Sequence, residues 1–135
     1  MQHKLLIPSE ALRDCPGLGA QRNKGFDAIA YARIVGPRYG TWLITEADGS
    51  SFYGWCEFLP GFGQIAPFEL SWLQTYDDVL RQLGFHSSGL MVDAYFRPEP
   101  LYRIVSPEHA NSSSRRELMY RRSTLAHAGR REICA

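Results

Sequence analysis

Runs of β-branched and aromatic residues stand on both sides of the dipeptide Asp48-Gly49. Asp-Gly between two such runs indicates a β-hairpin, because a type I′ turn needs positive φ at both of its central residues. The pattern therefore predicts two strands, over 40–47 and 50–58, joined by a turn in which Asp48 and Gly49 are the central residues.

The predicted turn also fixes which residues face each other across the hairpin. It places Ala47 opposite Ser50, and counting outward from there places Trp42 opposite Trp55. Neither face of the hairpin alternates cleanly with charge, so we expect both faces of the sheet to be largely covered.

Other elements follow from the same kinds of pattern. Strands are predicted over 27–35 and 90–97, with a short fifth strand over 64–66. A helix is predicted over 67–83, beginning at Pro67, with Thr75 and Asp78 as a capping signal within it and Gly84 as its end. A last short extended piece is expected over 101–105. The predicted fold class is α+β: a mainly antiparallel sheet of four to five strands packed against one or two helices, with an Arg-rich C-terminal tail or helix.

The charge distribution divides the chain into a body and a tail. Residues 1–105 carry nine Lys/Arg and eleven Asp/Glu, whereas residues 106–135 carry six Arg and three Glu. We expect 1–105 to form a single domain and 106–135 a basic extension, helical over 115–128 because Ser114 and Glu117 form a capping box. The tail arginines are candidates for binding nucleic acid or a partner: Arg115, Arg116, Arg121, Arg122, Arg130 and Arg131.

Composition fits one globular domain, since the chain has 135 residues of which 44% are apolar and 21% charged. The three cysteines are widely spaced and contain no C-x-x-C motif, which is typical of a protein from a reducing cytoplasm. Only Leu5, Leu6 and Ile7 precede Pro8 as an aliphatic run, so we expect no signal peptide, and no membrane-spanning segment is predicted.

The residues that could take part in catalysis or metal binding are not arranged in a known catalytic or metal-binding spacing. The four histidines (His3, His86, His109 and His127) fall in different predicted elements, so neither a metal nor a cofactor is predicted. Glu46 and Glu57 share a predicted hairpin face but lie at its opposite ends, which makes paired acid–base chemistry unfavourable. Cys56 is expected within a strand as a small hydrophobic residue. The sequence therefore predicts no catalytic site.

The order of short motifs resembles a domain-of-unknown-function family of small proteins from plasmids, integrative conjugative elements and other bacterial mobile DNA. The motifs are Leu-Ile-Pro at 6–8, the strand 42–46, Phe-Tyr-Gly at 52–54, Gly63 leading into Phe-Glu-Leu at 68–70, and Asp-Ala-Tyr-Phe-Arg-Pro at 93–98. The resemblance covers about residues 5–104 and leaves out the Arg-rich tail. It implies an accessory protein of mobile DNA, a setting where counter-defence and DNA-transfer functions are common, but it implies no activity and no catalytic residues.

Two functions remain from the residues themselves. The first is binding to another protein, in its sharpest form a host immune nuclease complex, because Tyr, Trp and Arg dominate interface hot spots. The second is nucleic-acid binding, with an aromatic sheet face that stacks bases and the tail arginines on phosphates. Both hypotheses use the same candidate residues of the sheet: Tyr31, Tyr39, Trp42, Tyr53, Trp55, Arg33 and Arg38.

Overall fold

The computed structural model describes residues 4–36, 40–59, 61–84 and 89–134, with the side chains of Arg122 and of 125–134 excluded. Its strands are β1 (Ile29–Ala30), β2 (Ala32–Val35), β3 (Thr41–Asp48), β4 (Ser51–Cys56), β5 (Gln64–Glu69), β6 (Met91–Val92) and β7 (Glu99–Pro100). Its α-helices are α1 (Leu70–Gln82), α2 (Leu101–Ile104) and α3 (Ser112–Cys134), and short 3₁₀ helices span Ser9–Leu12, Gly25–Asp27 and Pro107–His109.

The main sheet has five antiparallel strands in the order β5-β4-β3-β2-β6, and β1 pairs separately with β7. A mainly antiparallel five-stranded sheet with helices confirms the predicted α+β class. β5 and β6 form the two edges, so the three hairpin-connected central strands carry most of the pairing.

The predicted register of the β3–β4 hairpin is wrong. Near the turn Ala47 pairs with Phe52, two positions beyond the predicted Ser50, and beyond the bulge the error is one position. Asp48 pairs with Ser51, so the loop residues are Gly49 and Ser50. Gly49 has a φ of +61° and no described non-glycine residue has positive φ, which fits a type II′ turn with glycine first and excludes the predicted type I′ turn. Thr45 then forms a β-bulge, because the register shifts between Ile44 and Glu46.

This shift separates the predicted tryptophan pair. Trp42 pairs with Cys56 and Trp55 pairs with Leu43. Because successive side chains of a strand point to opposite faces, the net displacement of one residue turns the β4 side chains to the face opposite the predicted one. Trp42 and Trp55 consequently lie on different sides of the sheet.

A hydrophobic core covers each face of the sheet, as expected. The α1-side core contains Leu5, Ala32, Ile34, Trp42, Ile44, Phe52, Phe68, Leu73 and Leu90. The α3-side core contains Phe26, Ala28, Ala30, Leu43, Trp55, Leu101, Val105, Ala110 and Leu118. The second core includes Ala110 and Leu118, so the segment after residue 105 packs into the body of the protein.

Several predicted boundaries differ from the structure. Pro67 lies inside β5 opposite Tyr53, where an edge strand tolerates a residue without an N–H, and α1 begins at Leu70. The predicted strand 27–35 is interrupted at Tyr31, and the strand predicted over 90–97 is reduced to Met91–Val92. Asp93 Oδ1 accepts the Tyr95 N–H at 2.9 Å, a local turn that ends the extended segment.

The helical segments also differ from their predictions. Residues 101–104 are helical where an extended piece was predicted. Thr75 donates its hydroxyl to the Ser71 carbonyl within α1, so the predicted Thr75–Asp78 cap is wrong. The helix predicted over 115–128 is present and longer, and Asn111 Oδ1 accepts the Ser114 N–H at 2.8 Å in place of the predicted capping box.

Candidate functional site

The two tryptophans of the predicted aromatic platform are buried. Trp42 is 0% exposed and Trp55 is 1% exposed. Trp42 packs edge-to-face against Phe58 and Tyr76, whereas Trp55 packs against Phe26 in the other core. The interpretation that these rings form one exposed sheet face for a partner or for bases is therefore wrong.

The other predicted residues of the sheet have different surroundings. The half-buried ring of Tyr53 is covered by the Arg22 guanidinium, whose carbon lies 3.8 Å from the ring centroid. Arg33 donates from Nε and one terminal nitrogen to Asp93 Oδ2 at 3.1 and 2.6 Å. The backbone N–H of Tyr95 and, second to it, Arg33 hold the pKa of Asp93 below its ordinary value. Arg38 and Tyr39 lie outside the described residues.

Tyr31 lines an open groove of about 370 Å³ between the Ser9–Leu12 turn and the segment after β6. Three carboxylates, of Glu10, Asp14 and Asp93, line the same groove, and no Lys or Arg stands among its described lining residues. A negative lining repels phosphate groups. The groove around Tyr31 is therefore poorly suited to nucleic acid.

The described tail arginines are partly engaged within the protein. Arg115 donates to the carbonyl oxygens of Pro107 and Ala110 at 3.0 and 3.2 Å. Arg121 forms an ion pair with Asp27, and its guanidinium carbon lies 5.4 Å from the Tyr102 ring centroid. Arg116 is exposed. The side chains of Arg122, Arg130 and Arg131 lie outside the described residues.

The exposed face of α1 is a feature that the sequence analysis missed. Trp72 is 51% exposed, Val79 is 45% exposed and Leu83, directly after the helix, is 70% exposed. The spacings of seven and four residues align these three side chains on one side of a helix. The exposed positions of the segment 70–83 are Ser71, Trp72, Thr75, Val79, Gln82 and Leu83, and none of them is charged. We call the three apolar side chains, of Trp72, Val79 and Leu83, the α1 stripe.

A second missed feature is a contact between Glu57 and His109. Glu57 follows β4 and is 2% exposed, and its Oε1 lies 3.2 Å from Nδ1 of the half-exposed His109. Burial raises the pKa of the Glu57 carboxyl, while His109 and the backbone N–H groups of Gly40 and Thr41 act in the opposite direction. Both residues line a pocket of about 190 Å³.

Two other buried carboxylates differ from Glu57 in their hydrogen bonding. Glu46 accepts the N–H groups of Gly19 and Gln21 at 2.5 and 2.9 Å and pairs with Arg22 at 3.0 Å. Asp77 accepts from Arg81 Nε at 3.0 Å and from the Leu90 N–H at 2.7 Å. Glu46 thus holds the loop that contains Gly19 and Gln21, and Asp77 holds the segment that begins at Leu90. Both carboxylates have a structural role.

Two kinds of site find no support in the part of the chain that the structure describes. No group of three or more His, Cys, Asp and Glu side chains there could hold a metal ion. None of the helices searched in that part is both long and apolar enough to cross a bilayer. No protein-family model, curated protein or solved structure matches the chain. The resemblance to a mobile-DNA family therefore stays a prediction.

Proposed function

We propose that this protein acts without catalysis, by binding another protein through the α1 stripe. The observation that carries the proposal is the uncharged exposed face of α1, with Trp72 at 51% and Leu83 at 70% exposure. A helix on a protein surface normally turns charged and polar residues to solvent. Tryptophan is also among the residue types most enriched in interface hot spots.

The size of the stripe favours a groove on a different protein over a second copy of this chain. From their exposed fractions, the three side chains offer on the order of 300 Å² of apolar surface. Two such faces laid against each other fall well short of the ~800 Å² per partner that a stable interface buries. A groove that encloses the helix also contacts its flanks, which is the way amphipathic helices bind in apolar grooves.

Comparative capture tests this proposal. The tagged chain and the double variant Trp72→Ser/Val79→Ser are expressed in the cells from which the gene comes, and bound proteins are identified by mass spectrometry. Met91→Ser is the control, because Met91 is an exposed apolar residue of β6 rather than of α1. The purified partner should bind the double variant at least ~30-fold more weakly, the size of one hot spot, and the control within about twofold.

Two results would overturn the proposal. One is a partner that binds the double variant and the wild type equally well. The other is a wild-type dimer in light scattering that the double variant converts to a monomer, since the occupant of the stripe would then be a second copy. The circular dichroism spectra of both variants must match the wild type, which is expected because exposed positions contribute little to stability.

Action against a host immune nuclease complex is a sharper form of this proposal, and its support is the resemblance to mobile-DNA proteins. Nucleic-acid binding is the second candidate, supported by the exposed Arg116 on α3. A gel shift at low salt, repeated at ~0.2 M, separates the two, because a few phosphate contacts lose most of their affinity over that range. Binding in which Arg116→Glu lowers both the affinity and its salt dependence would identify Arg116 as a phosphate contact and favour nucleic acid over protein.

A further inference from the structure

A small pocket lies where the end of β4 meets the start of β3 and the segment after α2. Leu43, Trp55, Ile104 and Val105 give it an apolar wall. Polar side chains of Thr41, Glu57, Ser106 and His109 complete the lining. Its volume of about 190 Å³ is below the ~300–1,000 Å³ of sites for drug-sized ligands, so it suits a short side chain or a small molecule.

The carboxylate of Glu57 is incompletely satisfied in this pocket. No described donor meets Oε1 with good hydrogen-bond geometry, and the contact with His109 Nδ1 at 3.2 Å is an ion pair only while that imidazole is protonated. A buried carboxylate oxygen without a donor is costly, because it has lost its hydration without gaining a compensating hydrogen bond. A bound group that supplies both N–H donors and positive charge would remove this cost.

We propose that the pocket binds a small organic cation, a primary ammonium or a guanidinium group on a short alkyl chain. The cationic head donates to Glu57 Oε1, and the alkyl chain lies against Leu43 and Trp55. Such a pairing of one buried carboxylate with an apolar and aromatic wall is the arrangement that recognises organic cations. His109, half exposed beside the same oxygen, competes with the ligand for the carboxylate.

The geometry excludes two simpler ligands. An anion would face the Glu57 carboxylate, which no positive charge other than His109 offsets among the lining residues. A purely apolar molecule would leave Oε1 without a donor and gain only the contacts with the wall. The charge of the head group therefore decides the binding.

Titration with n-butylammonium, ethylguanidinium and neutral 1-butanol at constant ionic strength tests the proposal. Binding is followed by two-dimensional NMR at the amides of Gly40 and Thr41 and at the Trp55 indole N–H. Both cations should give saturating shifts, and 1-butanol should bind at least about tenfold more weakly, the factor that ~1.4 kcal/mol represents. A blocked Gly-Arg-Gly peptide shows whether the cation can also be the side chain of a protein.

Matched variants identify the residue responsible. Glu57→Gln should weaken cation binding by at least about tenfold, whereas Glu108→Gln, which removes the same charge at an exposed neighbouring position, should leave it unchanged. His109→Ala should retain or tighten binding, because it removes the competing contact. Equal binding of 1-butanol, undiminished binding to a folded Glu57→Gln protein, or no shift with either cation would overturn the proposal.

Discussion

Replacing Gly54 by alanine is the most direct test of the hairpin register. A Cβ atom at Gly54 would lie 1.9 Å from the Leu43 carbonyl oxygen and 3.0 Å from the Thr45 nitrogen, both in the backbone of β3. Ordinary contact between carbon and oxygen needs about 3.3–3.6 Å. β3 and β4 would therefore have to separate by roughly 1.5 Å at the centre of the sheet.

Such a separation removes the hydrogen bonds nearest to Gly54, each worth ~1 kcal/mol, and loosens the cores on both faces. We expect the free energy of unfolding to fall by about 3–5 kcal/mol, a large part of the ~5–15 kcal/mol available to a small domain. Urea unfolding followed by far-ultraviolet circular dichroism measures this loss.

Two other glycines provide matched controls. At Gly49 an added Cβ meets nothing within 4 Å, but the φ of +61° is unfavourable for alanine, so Gly49→Ala should cost ~1–2 kcal/mol. At Gly17 nothing lies within 4 Å and φ is ordinary, so Gly17→Ala should stay within ~0.5 kcal/mol of the wild type. If Gly54→Ala costs no more than Gly17→Ala, the pairing of Gly54 with Ile44 is refuted.

The remaining predictions concern titrating groups. Burial raises the pKa of Glu57 above its ordinary 4.5. The folded chain therefore holds this proton more tightly than the unfolded chain does. The protonated Glu57 contributes stability that is present below pH 4.5 and is lost as the pH rises through the folded pKa. The free energy of unfolding of Glu57→Gln, relative to wild type, should therefore increase between about pH 4 and about pH 8 in urea titrations, and a constant difference would contradict the assignment. Burial likewise raises the pKa values of Cys15 and Cys56 to about 11, so in a Cys134→Ser background both thiols should react with Ellman's reagent roughly a hundredfold more slowly in the folded protein than in guanidinium chloride. Comparable rates in the two states would show that the thiols are accessible and ionised.

The hairpin itself could be predicted from the sequence because its signal is local. A glycine that tolerates positive φ stands between two runs of strand-forming residues, and these choices lie within a few positions of one another. The register could not be predicted, because the turn lies one residue later than expected and Thr45 bulges at a point that a distant loop contacts. Gln21 Nε2 donates to the Thr45 carbonyl at 2.7 Å, and the carboxylate of Glu46 accepts the Gln21 N–H. These contacts join residues 24 and 25 positions apart and lie where the register shifts, so a local sequence pattern does not contain them.

The α1 stripe, in contrast, could have been found from the sequence. The predicted helix 67–83 contains the residues of the stripe at helical spacing, and Leu73 and Leu80 lie on a different side of the same helix. A helix with apolar residues on two sides is either buried all round or bound to a partner. The structure places one side in the core and leaves the other exposed, which is what makes a partner the simpler explanation.

The binding role proposed for Glu57 could not be predicted from the sequence. Glu46, Glu57 and Asp77 are all buried carboxylates, and nothing in their neighbouring residues ranks one above another. Their difference arises from contacts made by distant segments: backbone N–H groups and arginines satisfy Glu46 and Asp77, whereas Oε1 of Glu57 has only His109, 52 positions away, beside it. Because a buried charge must find its partner in the folded protein or in a ligand, the carboxylate whose hydrogen bonds are incomplete is the one most suited to binding.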